Sequence, residues 1–327
     1  MERPLDSRPK PIHYLEWLLL RAVLARVARG SLGDAAGFAV GLGRLARRAL
    51  RREWAWARTN LRLVYGPQPP QAAIDRLAAR AFENHFLSYI EGLRVRDVTF
   101  GGDTLSGLAA LHRSERRLIM TSIHLGSWEP GLLRMGQAGL PLAVVYRHAN
   151  NPLSERLFQA ARAQYGVTLI RRGDQRAILA ALKAGDALSL MVDINTRQGG
   201  IVAPFLGLPA LCPAGPARLA ARYQCPVVPA VGIREAPGRV SMAVGEPLAP
   251  PPARADAEEL AAFTGRINRA FEPWILAHPE QYNWLHARWR SRPDGRLLRP
   301  DAPLPPLWAQ RDAPHPPFPT RWLESDS

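Results

Sequence analysis

The stretch "LIMTSIHLGSWEPG", Leu118–Gly131, decides how the chain is read. Its first six residues are apolar or small and make a buried strand. His124 stands at or just past the end of that strand. Gly126 permits a turn, and Ser127 and Pro130 suit the cap and first turn of a helix. A strand running through a tight turn into a helix is the unit of an α/β layer, where ligands and chemistry collect outside the carboxyl ends of the strands. His124 is therefore a candidate functional residue.

Glu129 follows His124 by five positions. On one continuous helix, residues five apart are about 140° out of alignment, so the two side chains could not meet. With the histidine before the turn and the glutamate after it, the loop can bring them together. A carboxylate on one ring nitrogen fixes the tautomer and leaves the other nitrogen to accept a proton. Ser127 does not make a serine-hydrolase elbow, because "GSWEPG" is not G-x-S-x-G; a capping role is expected for it.

Outward from this stretch the alternation continues. "LAVVYR", "VTLIRR", "ALSLMVDI", "VVPAVGI" and "VSMAVG" read as buried strands, and "LSERLFQAARAQYG", "QRAILAALKAG" and "GPARLAARYQ" as the helices between some of them. The expected fold is α/β, a largely parallel central sheet flanked by helices, preceded by an N-terminal helical membrane-associated segment. Residues 1–50 are assigned to that segment, 51–299 to the main domain, and 300–327 to a proline-rich, disordered tail.

In "PIHYLEWLLLRAVLARVARG", Glu16, Arg21, Arg26 and Arg29 interrupt the apolar run. A spanning helix needs about 20 mostly apolar residues, so an interfacial helix lying on a membrane fits better. An ordinary amphipathic helix packed on its own domain is the alternative. The formal charge of +15 and pI near 11.0 point to a polyanionic partner: nucleic acid, an anionic membrane surface or an acidic substrate. Arg44, Arg47, Arg48, Arg51 and Arg52 cluster in "RLARRALRRE", on a membrane-facing or a solvated helix face. Cys212 and Cys225 form neither a CxxC pair nor a zinc ligand set, and a reduced, cytosolic setting follows.

Three arginines and an aspartate end strands as His124 does. Arg147 suits a phosphate or a developing oxyanion through its planar fork, or a salt bridge to a carboxylate such as Asp193. Arg171 and Arg172 follow "VTLI" and face either the same edge or solvent. Asp193 is read as a partner of Arg147 or of a bound water network. His85, His148 and His286 carry no comparable argument. The closing "YNWLHARWRSR" mixes aromatics with arginines as a stacking surface for RNA would. Without a nucleic-acid motif, packing near a membrane is preferred.

Taken together these segments resemble the late lipid A biosynthesis acyltransferases, within the wider glycerolipid acyltransferases that share an H-x4-D/E motif. The likeness runs from about Arg51 to Pro293. "RREWAWARTNLRLVYG" is similar to the family's N-terminal block through Arg58, Asn60 and Leu61. "HLGSWEPG" resembles the signature H-x-G-N-W-E, with Ser127 where Asn is usual. "YRHANNP" matches Y-R-x-x-x-N-P, and the segment with Asp193, Gly200, Pro204, Phe205 and Gly207 resembles the family's D…G-x-x-x-P-F-F-G block. "PEQYNWLHARWRSRP" is similar to the closing P-E-Q-Y-x-W-x-H-R-R-F. Leu206, Cys212 and Trp289 depart from the usual Phe, Thr and Phe.

The resemblance implies transfer of a fatty acyl chain from an acyl-carrier-protein (or acyl-CoA) thioester to a hydroxyl of a lipid A precursor. His124 would be the general base and Glu129 its orienter, with no covalent acyl-enzyme, no cofactor and no metal. Arg147, Arg171, Arg172 and Asp193 would bind substrate. The partners would be acyl carrier protein, the anionic glycolipid and an anionic membrane surface, at the cytoplasmic face of a bacterial inner membrane, with no nucleic acid. A sibling acyltransferase acting on another glycolipid, a phosphatidylinositol mannoside or an amino-acid lipid would use the same residues. A non-catalytic membrane-binding or nucleic-acid-binding module on the same scaffold is the reading from another class.

Overall fold

The computed structural model describes residues 9–101, 104–137, 139–163, 165–197, 199–300 and 302–323. Helices come first: α1 (Pro11–Ala28), α2 (Leu32–Ala49), α3 (Arg51–Tyr65) and α4 (Gln71–Leu93). The chain then alternates through β1 (Thr99–Gly101), α5 (Thr104–Glu115), β2 (Leu118–Ser122), α6 (Trp128–Gln137), β3 (Leu142–Tyr146), α7 (Pro152–Ala163), β4 (Val167–Arg171), α8 (Gln175–Ala184) and β5 (Ala187–Met191). A hairpin of β6 (Ile201–Phe205) and β7 (Leu208–Cys212) follows, then α9 (Gly215–Tyr223), β8 (Val227–Ala236), β9 (Arg239–Val244), α10 (Ala257–Ala277) and the short α11 (Pro305–Trp308).

The main sheet has the order β1-β9-β8-β2-β5-β3-β4. Its pairs are parallel except β8–β9, which is antiparallel. The expected α/β fold with a largely parallel sheet is what the chain forms. Period-two alternation shows in how β2 feeds two cores. Ile119 packs with Leu61, Phe82, Leu188, Phe271 and Trp284 on one face. Leu118 and Met120 pack with Leu133, Leu142 and Met242 on the other. All five β2 residues are buried, as a strand covered on both faces must be.

The β6–β7 hairpin lies outside the expected strands. Pro204 and Pro209, paired across it, weaken the sequence signal because proline cannot donate to a ladder. The turn residues Leu206 and Gly207 both have positive φ, 50° and 75°, the conformation of a tight hairpin turn.

No helix among the described residues is long and apolar enough to cross a membrane. Helix α1 packs against α2 and α7. The side-chain amide of Asn151, at the foot of α7, donates to His13 O at 2.8 Å and to Glu16 Oε2 at 3.0 Å. The outer surface of α1 exposes Ile12, Tyr14, Leu15, Leu18 and Leu19, each by more than half.

The described part of the tail does not lie loose, contrary to the expectation of disorder from residue 300 onward. His315 Nδ1 donates to Val64 O at 2.8 Å, and Trp308 Nε1 to Arg62 O at 3.1 Å. Phe318 sits edge-on to Tyr65 at 5.0 Å, and Arg321 pairs with Glu280 at 2.8 Å. Prolines remove regular periodicity there, but aromatic and basic residues between them supply the anchors.

Candidate active site

The register of β2 on β5 pairs Ser122 with Met191. Continued two residues beyond each strand, that register sets His124 opposite Asp193. The His124 backbone N–H donates to Asp193 Oδ2 at 2.9 Å, and His124 Nδ1 lies 2.9 Å from Asp193 Oδ1. Asp193 is buried, whereas the imidazole keeps 26% of its surface. The carboxylate holding the ring is thus Asp193, not Glu129.

Each of these two groups biases the other. Burial alone would lower the His124 pKa, but the Asp193 charge and hydrogen bond, with a further contribution from Glu129, raise it above the ordinary value. Burial alone would raise Asp193, yet the His124 charge and two hydrogen bonds hold it below the usual carboxylate range. Two neighbours complete the floor. Burial, then the Asp193 charge, pushes the Tyr282 hydroxyl up. His286 Nε2 accepts from the Asn195 backbone N–H at 2.9 Å, and burial lowers its pKa to about 4, so it stays neutral.

Glu129 lies in the first turn of α6 and turns toward α7, where Arg162 Nε donates to Glu129 Oε1 at 2.7 Å. Arg162 also lies over the Tyr146 ring, 5.3 Å from its centroid. The Tyr146 hydroxyl donates to Glu155 Oε1 at 2.6 Å and accepts from Gln159 Nε2 at 2.8 Å. The expected His124–Glu129 contact fails because the helix starts immediately after Ser127 and carries Glu129 toward α7. Its charge still acts on His124.

The arginines fall on the same sheet edge, to one side of His124. Arg147 follows β3, is exposed, and donates from Nη2 to Asn150 Oδ1 at 3.1 Å; the expected alternative partner Asp193 is taken by His124. Arg171 ends β4, and the Arg172 backbone N–H donates to Tyr146 O at 2.8 Å. At about 4.8 Å per strand, β4 lies roughly 14 Å from β2, so Arg171 and Arg172 belong to the rim rather than to the histidine.

Beneath the turn lies a polar network that the sequence did not reveal. Glu91, fully buried on α4, accepts from Arg234 Nη2 at 2.8 Å, from the Gly238 N–H at 3.0 Å and from the Ser127 hydroxyl. Ser127, expected to cap α6, thus donates its hydroxyl hydrogen bond to Glu91. Arg234 also donates to Ser88 Oγ at 2.7 Å and to Asn84 Oδ1. The Ser88 hydroxyl in turn donates to Gly126 O. Gly126 has φ +59°, and an added Cβ would come within 2.2 Å of Gly232 O, so only glycine fits. Arg162, Glu91 and Arg234 look like ordinary helix and strand residues in the sequence; only Tyr282 and His286 had a signal, within "PEQYNWLHARWR".

No group of three or more His, Cys, Asp or Glu among the described residues is placed to hold a metal ion. Chemically, the site offers an imidazole whose Nδ1 is held by a buried carboxylate while about a quarter of the side chain, 26%, stays exposed. That arrangement can take a proton from a hydroxyl.

The chain is similar to known proteins along most of its length. The chain is 27% identical over 297 residues to the lipid A biosynthesis lauroyltransferase of Escherichia coli K12, covering 87% of this chain and 94% of that protein. It is 28% identical over 266 residues to the palmitoleoyltransferase of the same organism, covering 78% and 84%. A lipid A biosynthesis acyltransferase of Haemophilus influenzae is 24% identical over 195 residues, covering 58% and 61%. The sequence model of the bacterial lipid A biosynthesis acyltransferases matches residues 6–291. With a matched region that takes in α1 through the Tyr282–His286 floor, and with the strand-end histidine inside it, the chain belongs to the bacterial lipid A biosynthesis acyltransferase family.

Proposed function

We propose that the protein transfers a fatty acyl chain from an acyl-carrier-protein thioester to a hydroxyl of an anionic lipid A precursor. The observation that carries this reading is the grip of Asp193 on His124 Nδ1 at 2.9 Å, at the carboxyl edge of the sheet. Nε2 takes the hydroxyl proton as that oxygen attacks the thioester carbonyl carbon. The carbonyl oxygen becomes an oxyanion, and the tetrahedral intermediate collapses with loss of the carrier thiolate. The thiolate recovers the proton from the His124 imidazolium. Asp193 fixes the tautomer and offsets the transient positive charge. No protein atom carries the acyl group in this sequence of steps. Glu129 acts by holding Arg162, and its charge supports the imidazolium.

Arg147, Arg171 and Arg172 suit the phosphate of the acceptor, to one side of the reacting hydroxyl. The exposed leucines of α1, together with Leu45 and Leu50 beside the exposed Arg44, Arg48, Arg51 and Arg52, support docking on an anionic leaflet such as the cytoplasmic face of the inner membrane. The test is an acyl-transfer assay of the full chain with a panel of carrier-protein and CoA thioesters and a lipid A precursor. Product ester with a carrier-protein donor supports the reading; thioester turnover without any acylated glycolipid sinks it.

A further inference from the structure

Four residues of α4, His85, Ser88, Tyr89 and Gly92, fall at helical spacing on one face. That face lies against the turn carrying the signature motif. Ser88 donates to Gly126 O, the Tyr89 ring meets Trp128 edge-on at 5.5 Å, and a Cβ on Gly92 would meet Glu129 Cγ at 3.2 Å. His85 completes the face: its ring is 5.8 Å from the Trp128 ring, inclined by 31°. The His124 ring is 5.3 Å from that same indole. Two imidazoles therefore meet one tryptophan.

The two rings are equipped differently. Asp193 holds His124. Among the described residues His85 has no hydrogen-bond partner, and its Nδ1 is sealed from solvent. The ring as a whole is only half-buried, so Nε2 is the nitrogen left accessible. Burial, then the His124 charge, lowers its pKa to about 3, which keeps the ring neutral at any working pH. A neutral imidazole carries one N–H and one lone pair. With Nδ1 sealed and unpartnered, the tautomer that leaves the lone pair there and carries its proton on Nε2 avoids burying an orphaned donor. A buried polar atom left unsatisfied costs stability, and a phenyl ring at this place would not incur that cost.

We propose that His85 contacts the substrate, donating a hydrogen bond from Nε2 to the thioester carbonyl oxygen and to the oxyanion it becomes. This rests on the acyl-transfer reading above. The attacked carbonyl carbon must lie one bond beyond the hydroxyl oxygen that touches His124 Nε2, so its oxygen stays close to the indole that both imidazoles meet. His85 gives up no proton; it stabilises negative charge from a ring that is itself uncharged and does not compete with His124 for the hydroxyl proton.

The test compares His85→Phe, His85→Gln and His124→Ala in the full-length protein, by steady-state acyl transfer and thermal unfolding. Removing one oxyanion donor should lower kcat by about 10²–10³-fold with KM nearly constant. His85→Phe should show that loss while its Tm equals or exceeds that of the wild type. His85→Gln, which keeps an N–H donor, should recover most of the rate. Wild-type kcat in His85→Phe beside an inactive His124→Ala overturns the assignment and leaves the acyl-transfer reading standing. Equal losses in the Phe and Gln variants, both folded, assign His85 to packing and overturn it too. An active His124→Ala removes the reading itself, and this inference with it.

Discussion

One carboxylate grips His124 twice: Asp193 Oδ2 accepts from its backbone N–H and Oδ1 meets its ring, both at 2.9 Å. The backbone contact fixes where the residue sits and the ring contact fixes how it points. The orientation of His124 thus comes from Asp193 and not from a residue on the following helix.

Asp193→Asn should therefore cost about 10²–10⁴-fold in kcat, the range for loss of efficient general-base catalysis. The acid limb of kcat/KM should lie above the ordinary histidine value in the wild type, because Asp193 raises the His124 pKa. In Asp193→Asn that limb should move to lower pH while the plateau falls. A pH profile from pH 5 to 9 reads both effects, and a limb that stays put removes Asp193 as the partner.

The same pair makes a signed prediction for stability. His124 has a raised pKa in the folded state, so its contribution is full below the ordinary value of 6.5 and is lost as pH rises through the folded value. Asp193 has a lowered pKa, so its contribution is present above the ordinary 3.8 and is lost as pH falls through the folded value. The gap in Tm between wild type and His124→Ala should be widest between those limits and narrow at alkaline pH.

Glu91→Ala should destabilise the fold by about 3–5 kcal/mol, because it leaves the buried Arg234 charge unpaired. Gly126→Ala should be as damaging for a different reason, a Cβ driven onto Gly232 O. Urea unfolding measures both. Unaltered midpoints would mean that the turn is held by other contacts.

Arg147→Lys tests the rim. Lysine keeps the charge but loses the planar fork, so binding of a phosphorylated acceptor should weaken and KM for it should rise. The KM for the acyl donor should not change. Wild-type values for both substrates would make Arg147 a surface residue held by Asn150.

For the proposed membrane face, Leu15→Ser with Leu19→Ser leaves the buried side of α1 intact, since both residues are more than half exposed. Pelleting with anionic vesicles should drop in this variant. Wild-type binding should persist in part at 1 M salt, where the Debye length is about 3 Å and only apolar insertion survives. Equal pelleting of both proteins would assign attachment elsewhere.

The strand-end histidine and the α/β layering were legible because both are local: an unbroken apolar run, a glycine, a helix start. Which carboxylate reaches His124 was not. Asp193 is 69 residues away and arrives through sheet register, which no spacing within one segment encodes. Glu129 and His124 share a motif, and the motif suggested a contact that the helix geometry diverts to Arg162. The Glu91–Arg234 pair was hidden for the same reason, since its members lie on a helix and a strand 143 residues apart. The β6–β7 hairpin was obscured by prolines that its own cross-strand pairing accommodates.

The tie between Asn151 and α1 joins residues 138 positions apart. At about 5–20 residues per second on the ribosome, α1 emerges roughly 7–28 s before the amide that anchors it. Through that interval the side of the helix destined for α7 is as bare as its leucine face. A lipid surface within reach during synthesis would meet α1 before Asn151 does, so the order of translation favours adsorption first and docking onto α7 second.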